Sequence, residues 1–238
     1  MKQMNNLTNK VIVITGASGG MGREISKRLF ECQAKLALFS HDPKGLCELA
    51  GELEAKAGGE FFTREVDVRN EDSVKSAFDE SVKRLGSPDI LLNLAGLSIP
   101  AKIWDMSEAD FDLMLDVNVK GTFFAVKHFA RTNESGGQIV NIGSMAAKRA
   151  NGNAPMYCTA KAAVNMLSAG AAIQLKEKNI RVTTLNPGGA DTPFWGERKV
   201  DRSKLLKASD VADVIMFILS LDSRVAVSEI NFESFLNL

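Results

Sequence analysis

Tyr157 is the one tyrosine in the chain, and Lys161 follows it by four positions. On a helix, residues at i and i+4 project from one face, one turn apart. That spacing sets an ammonium beside a phenol. A free phenol has a pKa of about 10 and exchanges protons poorly at neutral pH. A fixed cation nearby favours the phenolate and lowers that pKa toward a range useful for acid–base work. Ser144 adds a hydroxyl at the end of the apolar run QIVNIGS, which reads as a buried strand. A serine at a strand's carboxyl end and a Tyr/Lys pair on the next helix can converge on one small carbonyl or alcohol. Read alone, the pair also fits a half-buried ring beside a solvated amine. The elements that would position it therefore decide.

Strand and helix alternate along the whole chain. KVIVIT (Lys10–Thr15), KLALFS (Lys35–Ser40), a run ending near Asp67, DILLN (Asp89–Asn93), Gln138–Ile142, IRVTTLN (Ile180–Asn186) and AVSEINF (Ala226–Phe232) read as strands. Between them lie helical periods over 20–32, 43–57, 71–85, a long one from a Ser107 cap to Arg131, one from Ala154 to Lys176 carrying Tyr157, and one from near Ser209. With no composition break, this predicts a single doubly wound α/β domain over 1–238, a seven-stranded parallel sheet with helices on both faces. The nucleotide half would span about 8–95 and the catalytic and substrate half about 96–238.

The bulk composition narrows the function classes. Basic and acidic side chains balance at 29 each, which argues against a surface built for nucleic acid or anionic membrane. No apolar run approaches the ~20 residues of a membrane span. The start, MKQMNNLTNK, lacks the apolar core of a secretory leader. Cys32, Cys47 and Cys158 are odd in number and widely spaced, so a reduced, cytoplasmic setting is expected and no disulfide framework or metal. Cys158 lies about 100° round a helix from Tyr157 and reads as packing.

The turn Thr15-Gly16-Ala17-Ser18-Gly19-Gly20-Met21-Gly22 follows a predicted strand and opens a predicted helix. Glycines let a backbone approach a pyrophosphate, and a helix N-terminus offers it N–H groups and a positive dipole end. The spacing is Gly16-x-x-x-Gly20-x-Gly22 rather than GxGxxG, and a Gly-rich turn can serve any tight corner. Ser18 and Met21 are expected to supply further contacts.

Taken in order, TGASGGMG, NLAG (Asn93–Gly96), Asn118 in DVNVKG, Ser144, Tyr157, Lys161 and NPGGADT (Asn186–Thr192) resemble the short-chain dehydrogenase/reductase family over nearly the whole chain. The resemblance implies that Tyr157 is the general acid or base, that Lys161 lowers its pKa and bonds the nicotinamide ribose, and that Ser144 bonds the substrate oxygen. It implies that Asn118 holds a water linking Lys161 to solvent. Asn93, Ala95 and Gly96 would lie beside the adenosine ribose. Asp67 would bond the adenine, with Val68 beside it. Pro187, Gly188, Ala190 and Thr192 would line the nicotinamide. Taken singly, Asn118, Asp67 and Pro187-Gly188 also fit an ordinary polar, cap or turn residue.

An acid after strand two accepts the ribose hydroxyls of NAD, whereas a neutral or basic residue tolerates the 2′-phosphate of NADP. Aligned with the family pattern, Ser40 takes the acid's place and His41 the place of an arginine, which favours NADP. Lys44 or Arg64 could help. NAD remains possible through Asp42, which lies twenty residues past Gly22, and Ser18 departs from the basic residue many NADP-preferring members carry there. His128 reads as structural.

Substrate contacts are expected from 97–106, 145–156 and 190–206, with Ser144, Met145, Met156 and Trp195 as the leading contacts, beside Ile99, Trp104 and Phe194. Arg198 and Lys199 could attract an anionic substrate. The tail lacks any glycine after Gly196, unlike the family's usual ending. By resemblance, a homodimer or homotetramer would form through the two long helices. The favoured reading is an NADP-dependent oxidoreductase acting on a small carbonyl or alcohol. The alternatives are a 3-oxoacyl-thioester reductase, with Arg198 and Lys199 helping a phosphopantetheine carrier, and a non-catalytic NAD(P)-sensing binding protein.

Overall fold

In the computed structural model, residues 7–237 are described; Met1–Asn6, part of the stretch read for a leader, and Leu238 lie outside the described residues. β1 (Val11–Thr15) is β-branched throughout and buried at every position. Such a run needs cover on both faces, which a parallel sheet flanked by helices provides. β1 pairs in parallel with β2 (Lys35–Ser40) and β4 (Ile90–Asn93). The full order is β3-β2-β1-β4-β5-β6-β9, seven parallel strands, with β3 at Glu60–Glu65, β5 at Gly137–Ile142, β6 at Ile180–Pro187 and β9 at Glu229–Phe232. Side chains alternate between the faces. Ile12, Ile14, Leu36 and Leu38 pack under α1 (Gly20–Glu31), α2 (Pro43–Glu54) and α7 (Ala208–Leu219). Val11, Val13, Ala37 and Phe39 pack under α3 (Glu71–Leu85), α5 (Gly121–Thr132) and α6 (Pro155–Leu175).

The strand order reverses beside β1, where the crossovers from β1 and β4 diverge and leave a crevice at the strand carboxyl ends. A polar ladder crosses the sheet just beneath it. The Thr15 hydroxyl donates to Asn93 Oδ1 (3.3 Å), Asn93 Nδ2 to Asn141 Oδ1 (2.8 Å), and Asn141 Nδ2 to Ser168 Oγ on α6 (2.9 Å). Asn93 thus turns its side chain into the sheet. Its amide is spent inside the sheet, where it ties β1, β4 and β5 together.

The long helix expected from Ser107 to Arg131 is interrupted. Ser107 caps α4 (Glu108–Leu115), its hydroxyl accepting from Asp110 N, but a π-helical turn over Asp116–Lys120 separates α4 from α5. Asn118 is the cause. Its Nδ2 donates to the Met114 carbonyl four residues back, at 2.9 Å, so a side chain competes with the backbone ladder there. The edge strand begins at Glu229 rather than Ala226. The preceding residues are held singly instead, through Thr183 Oγ1 to Val227 O and Thr184 N to Ser228 O. A small ladder of β7 (Ala190–Asp191) and β8 (Leu206–Lys207) also goes unannounced by the sequence, since two-residue strands carry no periodicity.

Candidate active site

A cavity of about 630 Å³ opens at the carboxyl ends of β4, β5 and β6, with Ser144, Tyr157 and Lys161 in its wall. Ser144 follows β5 directly. Its N–H donates to Asn186 Oδ1 at 2.9 Å, and its own Oγ accepts from Ala146 N at 3.0 Å. α6 starts at Pro155, a residue whose fixed φ suits a first helical turn. Tyr157 and Lys161 therefore fall on one face, one turn apart. The Lys161 amine is buried, donates to the Ile142 carbonyl at 2.9 Å and lies 5.8 Å from the centre of the Tyr157 ring.

The electrostatics differ from the expectation. Burial pushes Lys161 down to about 7. Burial also pushes Tyr157 up to about 12, against smaller downward pulls from the Ser144 hydroxyl and the Arg198 charge. The chain's own lysine does not acidify the phenol here. Its amine points at a main-chain carbonyl and is itself kept from charging by the apolar surroundings, so desolvation outweighs the pairing.

Asn118 sits at the π turn, fully buried, with Nδ2 donating to Leu97 O and Met114 O, both at 2.9 Å. Its Oδ1 has no partner. A Cβ added at Gly96 would stand 2.9 Å from that oxygen and 3.3 Å from the Lys161 amine. Glycine at 96 therefore leaves one space facing both an unpaired buried acceptor and a buried amine. A polar guest that bonds them fits there, because an unpaired acceptor is costly to bury.

The glycine turn has the form of a phosphate cradle. α2, α3 and α4 are closed by the side chains of Asp42, Asn70 and Ser107, whereas α1 has no side-chain cap and no acid in its first turn. Its N–H groups and dipole remain available to an anion. Gly16 holds φ at +70°, and a Cβ there would stand 2.7 Å from Ala95 N. Gly22 lies so close under the turn that a Cβ would meet the Gly16 carbonyl at 2.2 Å, and Gly20 faces Thr192. Met21 lines the cavity. These residues fit a nicotinamide dinucleotide. Gly16, Gly20, Met21 and Gly22 would hold its pyrophosphate. Lys161, Asn118 and the carboxyl end of β6 would face its nicotinamide ribose.

At the far end of the crevice, Ser40 is buried with its hydroxyl 2.6 Å from that of Ser18. Asp42 does not turn inward; its carboxylate accepts from Gly45 N at 3.0 Å as the cap of α2. His41 is exposed beside it. Asp67 is engaged by the Arg69 guanidinium, which holds its carboxyl below the usual range, and Val68 packs against Gly121. Arg64 is excluded from this corner, since its guanidinium goes to Glu80 and Ser76.

On the substrate side, Met145, Pro187, Gly188, Ala190, Thr192 and Trp195 all line the cavity. Met156 does not, and is corrected. One position before Tyr157, it is turned about 100° away round α6. Trp104 is likewise exposed rather than inside. Trp195 is anchored, its Nε1 donating to Ala190 O at 2.7 Å. Sequence reading missed the role of Asn186. It lay within a quoted motif, yet only the fold shows that it receives the Ser144 N–H and donates to Asn231 Oδ1 at 2.9 Å. His128 is buried against Glu71 at 3.2 Å, away from the cavity. Among the described residues, no helix is long and apolar enough to cross a membrane, and no cluster of His, Cys, Asp or Glu is arranged to hold a metal.

Comparison with known proteins agrees with this fold. A family model described as short chain dehydrogenase matches residues 10–203. An uncharacterized oxidoreductase of Staphylococcus saprophyticus is 31% identical over 229 residues, covering 95% of this chain and 98% of the relative. Among solved structures, an alcohol dehydrogenase from the archaeon Thermococcus sibiricus, complexed with 5-hydroxy-NADP, is similar at 30% identity and a TM-score of 0.86, covering 95% of this chain and 97% of that one. A short-chain dehydrogenase/reductase from Serratia marcescens is similar at 27% identity and a TM-score of 0.89, covering 98% and 99%.

Proposed function

The chain belongs to the short-chain dehydrogenase family of NAD(P)-dependent oxidoreductases, and on that footing we propose that it interconverts a small carbonyl and a secondary alcohol, with NADP preferred and Tyr157 moving the proton. The observation that carries this reading is the meeting of Ser144, Tyr157 and Lys161 in one cavity wall, with the unpaired Asn118 oxygen behind them. When bound, the nicotinamide supplies or accepts the hydride. The residues of the chain handle everything else. Ser144 and Tyr157 direct their hydroxyls at the substrate oxygen. Tyr157 is placed to give a proton to an oxygen gaining negative charge, or to take one back in the reverse direction. Lys161 and Asn118 hold the proton-bearing groups behind it.

Tyr157→Phe removes only the hydroxyl. Turnover of a carbonyl panel falls about 10²- to 10⁴-fold, while NADPH binding by fluorescence is kept. Unchanged turnover removes Tyr157 from the mechanism. Lost binding together with lost turnover leaves the role of the residue structural. A protein that only senses the cofactor would bind NADPH and turn over no carbonyl before any substitution.

The Ser18–Ser40 hydroxyl pair, the engagement of Asp42 as a helix cap and the exposed His41 support NADP over NAD. The ratio of kcat/KM for NADPH and NADH reads this directly, and a strong NADH preference defeats it. Exposed Phe123 on α5 with Met166 and Ile173 on α6 support pairing with a second copy through those helices. Light scattering of the purified chain measures that, and a monomer defeats it.

A further inference from the structure

The cavity wall is charged on one side only. Arg149, Lys161, Arg198 and Lys199 line it, and no aspartate or glutamate does. Two of these cations already have an answer within the chain. Arg149 is neutralised by Glu233, and Lys161 is buried with its charge suppressed. Among the described residues Arg198 and Lys199 have no such partner, and of the two Arg198 is the one held in place by bonds within the chain. Among the described residues no carboxylate lies within ion-pair distance of it, although Arg202, four residues on, is paired with Asp191.

The Arg198 guanidinium is nevertheless fixed. Its Nε donates to Trp195 O at 2.8 Å, and one Nη donates to Phe194 O. It lies against two rings, with Cζ 5.0 Å from the centres of both Phe194 and Trp195, which meet edge to face. The Phe194 ring in turn lies 5.7 Å from that of Tyr157. An arginine has five N–H donors. The two main-chain bonds use two of them, and the residue lines the cavity one ring away from the phenol.

We propose that Arg198 anchors an anionic group on the substrate, so that the compound reduced is an oxo acid rather than a neutral ketone. A planar guanidinium set against two rings and held by two carbonyls is preorganised for bidentate capture of a carboxylate. It would hold the acid across Phe194 while the carbonyl reaches Tyr157 and Ser144. The proposal rests on the oxidoreductase reading for the reaction, but not for binding of the acid. The competing account is a clip. Arg198 would then serve only to close the 193–195 turn, and no substrate charge would matter.

The test uses straight-chain 4-, 5- and 6-oxoalkanoates and their methyl esters, which differ in charge at the end away from the carbonyl. With NADPH, the wild-type enzyme favours at least one acid over its ester in kcat/KM by about ten- to a hundredfold, the factor a charge-assisted pair supplies. Arg198→Met brings that ratio toward one, and Arg198→Lys restores part of it. Equal use of acids and esters by the wild type overturns the proposal, with no variant needed. So does an equal loss for acid and ester in Arg198→Met, which is what a clip gives. A rise in KM for NADPH with the acid/ester ratio intact reassigns Arg198 to the cofactor and overturns it as well.

A binding measurement separates this proposal from the oxidoreductase reading. Trp195 lies against Arg198, while the other tryptophan, Trp104, is 80% exposed and is replaced by phenylalanine for this purpose. The oxoalkanoates change Trp195 fluorescence in that background, and Arg198→Met abolishes the change. If this occurs with no turnover of any carbonyl, the anion site stands and the oxidoreductase reading fails. If the esters act as the acids do, the anion site fails whatever the turnover.

Discussion

The two ends of the sheet carry hollows of comparable kind and opposite chemistry. At the strand amino ends, about 1090 Å³ of open space is bordered by Lys10, Asp89, Gln138 and Arg181. The polar groups there are answered. Asp89 accepts from Lys10 Nζ at 2.7 Å and from Val11 N at 2.9 Å, and Arg181 donates to Asp222 O, Val225 O and Gln138 Oε1. At the carboxyl ends the hollow is smaller, about 630 Å³, and two buried polar groups in or behind its wall are left underused. Asn118 Oδ1 has no partner, and the Lys161 amine has a single carbonyl. Size therefore says nothing about which hollow works. The unpartnered Asn118 oxygen beside the smaller one does distinguish them, because such a group lowers stability unless a guest completes it.

The largest expected effect sharpens this contrast. Lys161→Met lowers kcat/KM by about 10³-fold, yet raises the stability of the protein without nucleotide by on the order of a few kcal/mol. The reason is the depressed pKa. Below pH 7 the amine is charged folded and unfolded, and the folded chain bears the whole desolvation cost. Between about 7 and 10.5 only the unfolded chain keeps the proton, so stability rises with pH across that window. Denaturant melts of the wild type from pH 6 to about 9 follow that rise, and Lys161→Met flattens it. Tyr157 acts oppositely at the alkaline end, where stability falls between 10 and about 12 as the unfolded phenol ionises first. A variant no more stable than the wild type breaks the contrast.

Gly22→Ala comes next. An alanine ordinarily favours a helix by about 1 kcal/mol over glycine. Here its Cβ would meet the Gly16 carbonyl at 2.2 Å. The turn must shift, and KM for the nicotinamide cofactor rises about tenfold or more, the equivalent of mild overpacking. A stabilised variant with unchanged KM shows that the turn is not a cradle. The smallest effect belongs to the other end. Asp89→Ala strands the Val11 N–H and costs about 1–3 kcal/mol in chemical melts, with kcat/KM of the folded enzyme intact. Lost activity without lost stability there breaks the division between the ends.

Much of the fold was legible because its signals are local. The five-residue run Val11–Thr15, the Ser107 cap and Pro43 at the first turn of α2 each declare an element through sterics that neighbours do not alter. The catalytic candidates were legible through spacing on one helix. What escaped depends on distant contacts. Asn93 looks the same in sequence whether it faces the crevice or the sheet, and only Thr15 and Asn141 on adjacent strands turn it inward. Met156 is apolar and near the site in number, but a single step of helix rotation removes it from the cavity.

The amino-acid order by itself determined the alternation of elements, the glycine turn and the Tyr157–Lys161 pair, since each follows from backbone preference or helical period over a few residues. Only the tertiary structure decided the charge state of that pair. Protonation answers to burial, and burial is set by strands and helices far apart in the chain, so the phenol rose and the amine fell where spacing alone implied the reverse.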